Sequence, residues 1–292
     1  RRATDRLASC ANLECLLEKA VDCLVKEFSI GHLMLLMHDE ARGCLYTLAS
    51  RGYPQSGIGS EIPVGSGLIG ICARERSPIR IGFMTSEYAY GRTVRDSLAA
   101  EGKLDALETA IPLPGLPNAA SQMAVPIAAA GRLLGVIYVE SVADLHFGYD
   151  EEDALVAFAA HLGLAMLHHQ QADDPLEDPA PAESAPLPAT GPTLTIRHFA
   201  ANDSVFLDDD YLIKGVAGAI LWALLNDFVK RGRTSFTNKG LRLDSRIRLP
   251  GVSDNLEARL VLLQRRLAER NAGIGIEKAG RGRLSLAVTR PL

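Results

Sequence analysis

Met123-Ala124-Val125-Pro126-Ile127-Ala128 and Leu133-Leu134-Gly135-Val136-Ile137-Tyr138-Val139-Glu140 flank the short stretch Ala130-Gly131-Arg132. Two apolar runs rich in β-branched residues around a glycine-containing tip read as a β-hairpin. Downstream, Phe147-Gly148-Tyr149-Asp150-Glu151-Glu152-Asp153 opens a long helix, with its acids where the helix dipole favours negative charge. Upstream, Leu13, Leu16, Leu17, Ala20, Leu24 and Val25 have helical spacing that ends near Phe28. His32 to His38 and Cys44 to Ser50 read as strands around the turn Asp39-Glu40-Ala41-Arg42-Gly43. Residues 68–75 read as a short helix, 78–81 as a strand and 83–120 as irregular. Helix, two strands, helix, strand, loop, hairpin, helix is the order of an α+β fold, a sheet with helices at both ends.

Four short pieces give this region a family resemblance: Val64-Gly65-Ser66-Gly67-Leu68-Ile69-Gly70, Ser77-Pro78-Ile79, Val125-Pro126-Ile127 and the run Gly131 to Val139. In that order and spacing, residues 8–170 resemble a GAF domain. The resemblance implies an antiparallel sheet with a small-molecule pocket on one face, and terminal helices that pair in dimers. It also implies that a ligand would sit under residues 83–123, which makes Tyr88, Tyr90, Arg92, Arg95 and Met123 the candidate ligand-binding residues. Their rings can stack on a nucleotide and their guanidiniums can pair with its charge. Cyclic-nucleotide members carry an Asn-Lys signature, and Ser141-Val142-Ala143-Asp144 lacks it. Cys72 is followed by Ala73 rather than the histidine of bilin-attaching members, so a packed core cysteine is expected. The literal G-x-G-x-x-G of residues 65–70 follows a proline-containing stretch and reads as helix packing, not as a dinucleotide loop. No cofactor is expected beyond a small-molecule ligand of open identity.

The last helix of this region argues separately for a dimer. Residues 154–167 are apolar nearly all round, yet a helix on one sheet face needs a single apolar stripe. A second copy of the chain is the expected partner for the other stripe. His161 reads as a packed histidine rather than a haem ligand.

Residues 171–192 hold six prolines among acidic residues and almost no bulky apolar side chain, the composition of a semi-extended linker. The expected domains are therefore 1–170, a linker 171–192, and 193–292. Charge divides the same way: residues 193–292 carry 17 Lys+Arg against 10 Asp+Glu, whereas residues 1–192 carry 14 against 25. An acidic protein with a basic end points to a polyanion-binding segment or to a solvated basic surface. The five cysteines, Cys10, Cys15, Cys23, Cys44 and Cys72, are odd in number and lack Cys-x-x-Cys spacing, which suggests a reducing cytoplasm without a zinc site. No run of 18 apolar residues is present, so no membrane span is expected. No signal peptide is read, and the chain opens Arg1-Arg2-Ala3 without methionine, so upstream residues are expected to be missing.

In the basic end, short strands are expected at 194–197 and 205–207, then an amphipathic helix from Val216 to Phe228 that Gly232 ends. Leu256, Leu260, Leu263 and Leu267 recur on one helical face, which leaves Arg259, Leu262, Arg265 and Arg266 pointing elsewhere. Ser253 or Asp254 is the expected cap. Two strands follow around Gly280-Arg281-Gly282-Arg283. Residues 193–290 thus resemble the winged-helix effector domain of two-component response regulators, which implies DNA binding. The candidate contacts with double-stranded DNA are Lys239, Arg242, Arg246, Arg248, Arg259, Arg265, Arg266, Lys278, Arg281 and Arg283. Val261 and Leu262 on the same helix favour a protein partner instead. No nucleophile, acid–base pair or metal spacing is found, so the chain is expected to be a non-enzymatic regulator or adaptor.

Overall fold

The computed structural model describes residues 6, 7, 9–83, 111–172, 193–247, 249, 255–280 and 282–292. The chain divides into two units, Arg1–His169 and Gln170–Leu292. The first unit runs α1 (Leu13–Lys26), β1 (His32–Asp39), β2 (Cys44–Arg51), β3 (Glu61–Pro63), α2 (Gly67–Glu75), β4 (Ile79–Ile81), β5 (Ser121–Ala129), β6 (Arg132–Ser141) and α3 (Tyr149–Ala172). The expected hairpin is β5–β6, slightly longer at each end than its apolar runs. Its strands join a six-stranded sheet of order β3-β2-β1-β6-β5-β4, antiparallel throughout.

Local chemistry starts and stops these elements. Asn12 caps α1 by accepting the Cys15 N–H at 2.9 Å. At the start of α3, Glu151 Oε2 accepts the Gly148 N–H at 2.8 Å, and that contact holds its carboxyl below the usual range. Gly70 brings α2 against the chain before it: a methyl group there would sit 2.4 Å from the Pro63 carbonyl oxygen. The glycine-rich stretch therefore serves packing, as its sequence context suggests.

The sheet is covered on both sides. Ala124, Val136 and Tyr138 share a core cluster with Ile69, Cys72 and Ala73 of α2. Burial pushes the Cys72 thiol up to about 12, as suits a packed, inert cysteine. On the other side, Gly163 of α3 lies so close to β5 that a methyl group would meet the Ala128 carbonyl oxygen at 2.8 Å and Ile127 at 3.4 Å. His161, expected to be packed, is exposed on α3, and its Nδ1 lies 2.8 Å from the Ala157 carbonyl oxygen.

The second unit contains β7 (Ile196–Phe199), β8 (Ser204–Leu207), β9 (Asp210–Ile213), α4 (Gly215–Arg231), β10 (Ser235–Thr237), α5 (Asn238–Leu243), α6 (Leu256–Glu269), β11 (Ile274–Lys278) and β12 (Arg283–Val288). Its two three-stranded sheets have the orders β7-β8-β9 and β10-β12-β11. Gly232 ends α4 in the left-handed conformation at φ 67°, as its position after the helix suggests. The cap of α6 is Asn255, which accepts the Ala258 N–H, rather than Ser253 or Asp254. Helix α5 was not evident from its sequence because a six-residue helix shows less than two turns of periodicity.

β1 and β6 form the centre of the first sheet, and they meet at a glycine. A methyl group on Gly135 would lie 2.1 Å from the Leu36 carbonyl oxygen, a backbone atom held by its own ladder. Gly135→Ala is therefore expected to destabilise the first unit by about 1–3 kcal/mol in chemical denaturation. Gly31→Ala, which meets nothing within 4 Å, should stay within about 0.5 kcal/mol of the parent.

Candidate functional site

On the α2 side of the sheet, one end is polar. Strand alternation from Val136 through Tyr138 brings Glu140 to this face, where it is 2% exposed. Four donors meet its carboxylate. Tyr138 Oη donates to Oε1 at 2.6 Å and Gln122 Nε2 to the same oxygen at 3.0 Å. Tyr53 Oη donates to Oε2 at 3.1 Å, and the Leu116 backbone N–H at 2.8 Å. Register explains the gathering: Gln122 pairs with Glu140 across β5–β6, and His32 pairs with Glu140 across β1–β6. The His32 ring meets Tyr53 edge-on at 5.5 Å.

The arrangement is a carboxylate cradle whose acceptors are filled by the protein itself. Tyr53 comes from beyond β2, Gln122 from β5, Tyr138 from β6 and Leu116 from the segment before β5, so one acid ties four pieces of chain together. Burial, followed by the charge of Glu140 and its hydrogen bond, raises the Tyr53 phenol above its ordinary 10.0.

Of the ligand-binding residues expected from sequence, Tyr88, Tyr90, Arg92 and Arg95 lie outside the described residues. Met123 lies on the opposite face of the sheet from Glu140. It shares the orientation of Ile127, which meets α3, and it is fully buried there. Glu140, Tyr53 and Tyr138 were not singled out from sequence. The available signal was an acid in phase with Val136 and Tyr138 on an otherwise apolar strand.

The basic residues of the second unit separate into two groups. Lys239, Arg242 and Lys278 are exposed, while Arg265 and Arg283 are half-buried. Arg246 is exposed but engaged: its guanidinium is bidentate to Asp227, at 2.9 and 3.2 Å, and also bonds Asp244. The Arg246 guanidinium in turn holds the Asp227 and Asp244 carboxyls below their usual range. Lys278 pairs with Glu257 of α6. Arg248 and Arg281 lie outside the described residues.

Helix α6 corrects the expected outer arginine face. Arg259 is 3% exposed and Arg266 is 5% exposed, and Val261 and Leu262, expected to form a docking patch, are also buried. The helix is held between β9 and β11. Arg266 Nε donates to the Leu212 carbonyl oxygen at 3.0 Å, and Gln264 Nε2 donates to the Ile276 carbonyl oxygen at 2.8 Å. β9 is an edge strand, whose outward carbonyls need donors. Arg266 meets that need, with Arg270 bonding Tyr211 one residue earlier. Leucine periodicity could not reveal this, because it marks one buried face and is silent about the others.

Two substitutions test the cradle. Tyr53→Phe removes one donor and is expected to cost about 0.5–1.5 kcal/mol, whereas Glu140→Leu leaves buried donors unfilled and should cost about 1–3 kcal/mol for each such group. The raised phenol also sets a sign. Folding favours its protonated form, so stability should be intact below pH 10 and fall as pH rises beyond the ordinary tyrosine value. Unfolding curves from neutral to alkaline pH should show this decline in the parent and a shallower one in Tyr53→Phe.

Comparison with known proteins agrees with the architecture of the first unit. The family model described as GAF domain matches residues 12–166. Among solved structures, the GAF domain of an Acinetobacter phosphoenolpyruvate-protein phosphotransferase is 20% identical, covering 61% of this chain and 95% of that one, with a TM-score of 0.45. That of the Coxiella burnetii phosphoenolpyruvate-protein phosphotransferase is 23% identical, covering 59% and 92%, with a TM-score of 0.46. Free methionine-R-sulfoxide reductase from Neisseria meningitidis, in complex with its substrate, is 17% identical, covering 59% and 87%, with a TM-score of 0.44. No curated protein matches the chain. With more than half its length matched by the family model, the chain belongs to the GAF family, sensory domains found in signalling proteins.

Proposed function

We propose that the chain is a cytoplasmic, homodimeric, non-catalytic regulator. Its GAF domain senses a small molecule, and its C-terminal unit is a winged helix that binds double-stranded DNA. The observation that carries the DNA reading is the element order of the second unit. Three strands, a helix, a strand, two helices and a hairpin paired to that strand are the parts of a winged helix. The basic charge of the same region supports it, as a polyanion binder needs. Because Arg259 and Arg266 are enclosed and Lys278 is paired with Glu257, the phosphate contacts in this reading fall first to exposed Lys239 and Arg242 on α5, with half-buried Arg265 and Arg283 as further candidates.

A second reading, an adaptor docking onto a protein, is favoured by two observations on the same unit. Helix α6 presents no open arginine face, and Leu243 at the end of α5 is 75% exposed. Fluorescence anisotropy of the full chain with labelled duplex DNA separates the two. The DNA reading expects binding at low salt that falls steeply as salt rises. Lys239→Ala/Arg242→Ala should make the logarithmic salt slope shallower by about 0.9 for each phosphate left without its cation. Absence of binding at low salt, or binding indifferent to that pair, rejects it in favour of the adaptor.

The dimer reading rests on α3. Leu155, Phe158, Leu162 and Met166 are buried, while Val156, Ala157, Ala160 and Leu164 remain exposed, Leu164 at 59%. A second apolar stripe on a helix already seated on its sheet suits a second copy of the same helix. A two-fold dimer would present two DNA-binding units, suited to paired half-sites. Light scattering on the full chain is expected to give a dimer, with Leu164→Glu giving a monomer of unchanged helix content. A monomeric parent would remove this part of the account.

A further inference from the structure

Between Asp153 and Asp173 the sequence carries no Lys, Arg, Asp or Glu, and its ionisable side chains there are His161, His168 and His169. Two of these lie on the outer stripe of α3. Ala157, His161, Leu164 and His168 are all exposed and recur at i, i+4, i+7 and i+11, the spacing of a seam between two helices. His169 is half-buried and lies off that row. His161 Nδ1 donates to the Ala157 carbonyl oxygen at 2.8 Å, so the neutral ring keeps Nε2 as an acceptor. The segments packed on the inner side of α3 meet it with apolar groups and backbone. Phe158 meets the Phe28 ring at 5.4 Å, and Gly163 lies against the Ala128 carbonyl and Ile127. The acids on the outer face, Asp150 and Asp153, stand in the first turns of the helix. Asp153 is about 12 Å along the axis from His161.

We propose that His161 and His168 make the α3-paired dimer pH-dependent, held while both rings are neutral and released when they are protonated. This rests on α3 being the seam between two copies of the chain. A second copy suits the stripe because the stripe offers a charged partner nothing to pair with, whereas a copy of itself is equally uncharged. Either direction of pairing keeps the histidines away from acids. Side by side in parallel, His161 meets the partner's His161 and His168 the partner's His168. Antiparallel about the middle of the stripe, His161 meets the partner's Leu164 and His168 the partner's Ala157. Histidine is the side chain whose charge changes between pH 5 and 8. Acid therefore places up to four positive charges in a seam that holds no carboxylate to meet them, and an unpaired charge taken out of water is costly. The separated chains, with these rings in water, bind more protons than the dimer does. Falling pH accordingly favours the separated chains, and the dimer is at full strength above the histidine range.

The test is sedimentation velocity of the full chain over a concentration series at pH 7.5 and pH 5.5, at constant ionic strength, with helix content followed by circular dichroism. The dimer dissociation constant is expected to rise by about tenfold or more at pH 5.5, with helix content unchanged. His161→Gln/His168→Gln should dimerise equally at both pH values, which separates these two rings from the other histidines of the chain. His161→Lys/His168→Lys, with the charge made permanent, should be monomeric already at pH 7.5. A parent that dimerises equally at both pH values overturns the inference and leaves the dimer standing. Dissociation that persists in the glutamine variant, or that comes with loss of helix, also overturns it. A parent monomeric at pH 7.5 removes the dimer itself, and the inference with it.

Discussion

A carboxylate taken out of water must find donors for both of its oxygens, and Glu140 finds them on four separate pieces of chain. That requirement shapes one end of the sheet in the GAF domain. Tyr53 has to return over the face after β2, Gln122 has to stand opposite in register, and the segment before β5 has to turn its Leu116 amide inward. An apolar residue at position 140 would leave each of these groups without its partner. The acid therefore acts as a hub, ordering the polar end of the face whose apolar part packs against α2.

A similar principle governs the second unit, with the charges reversed. There, arginine guanidiniums serve backbone carbonyls and carboxylates before they are available to any partner. Arg266 completes the edge of β9, and Arg246 is divided between Asp227 and Asp244. Charge counted along the sequence thus overstates the open positive surface. The exposed cations Lys239 and Arg242 lie off the leucine-rich helix α6, and Lys278 is paired with Glu257. The DNA reading consequently rests on α5 more than on α6.

The legible parts of the fold were those with long, uninterrupted patterns. The β5–β6 hairpin, α1 and α3 each spread their periodicity over enough residues to be read, and Gly232 marks a helix end by chemistry that acts locally. The two apolar stripes of α3 were visible because a helix on a sheet needs one. Contacts between distant segments were not legible. Nothing local tells Tyr53 that it will meet Glu140, 87 residues away, and nothing in the leucine spacing of α6 says that β9 and β11 cover its remaining sides. The face that Met123 takes was not legible either: proximity in sequence to residues 83–120 carries no information about which side of the sheet a strand residue points to. A shift of one position reverses the face.

Native-state hydrogen exchange at the Leu116 amide tests the Glu140 hub most directly. This amide lies outside any helix or strand, between Pro114 and Pro117, where an unbonded N–H would exchange freely. The account predicts protection approaching that of the β6 amides in the parent, and its disappearance in Glu140→Leu. A Leu116 amide that exchanges in the parent as fast as an open loop amide would contradict it.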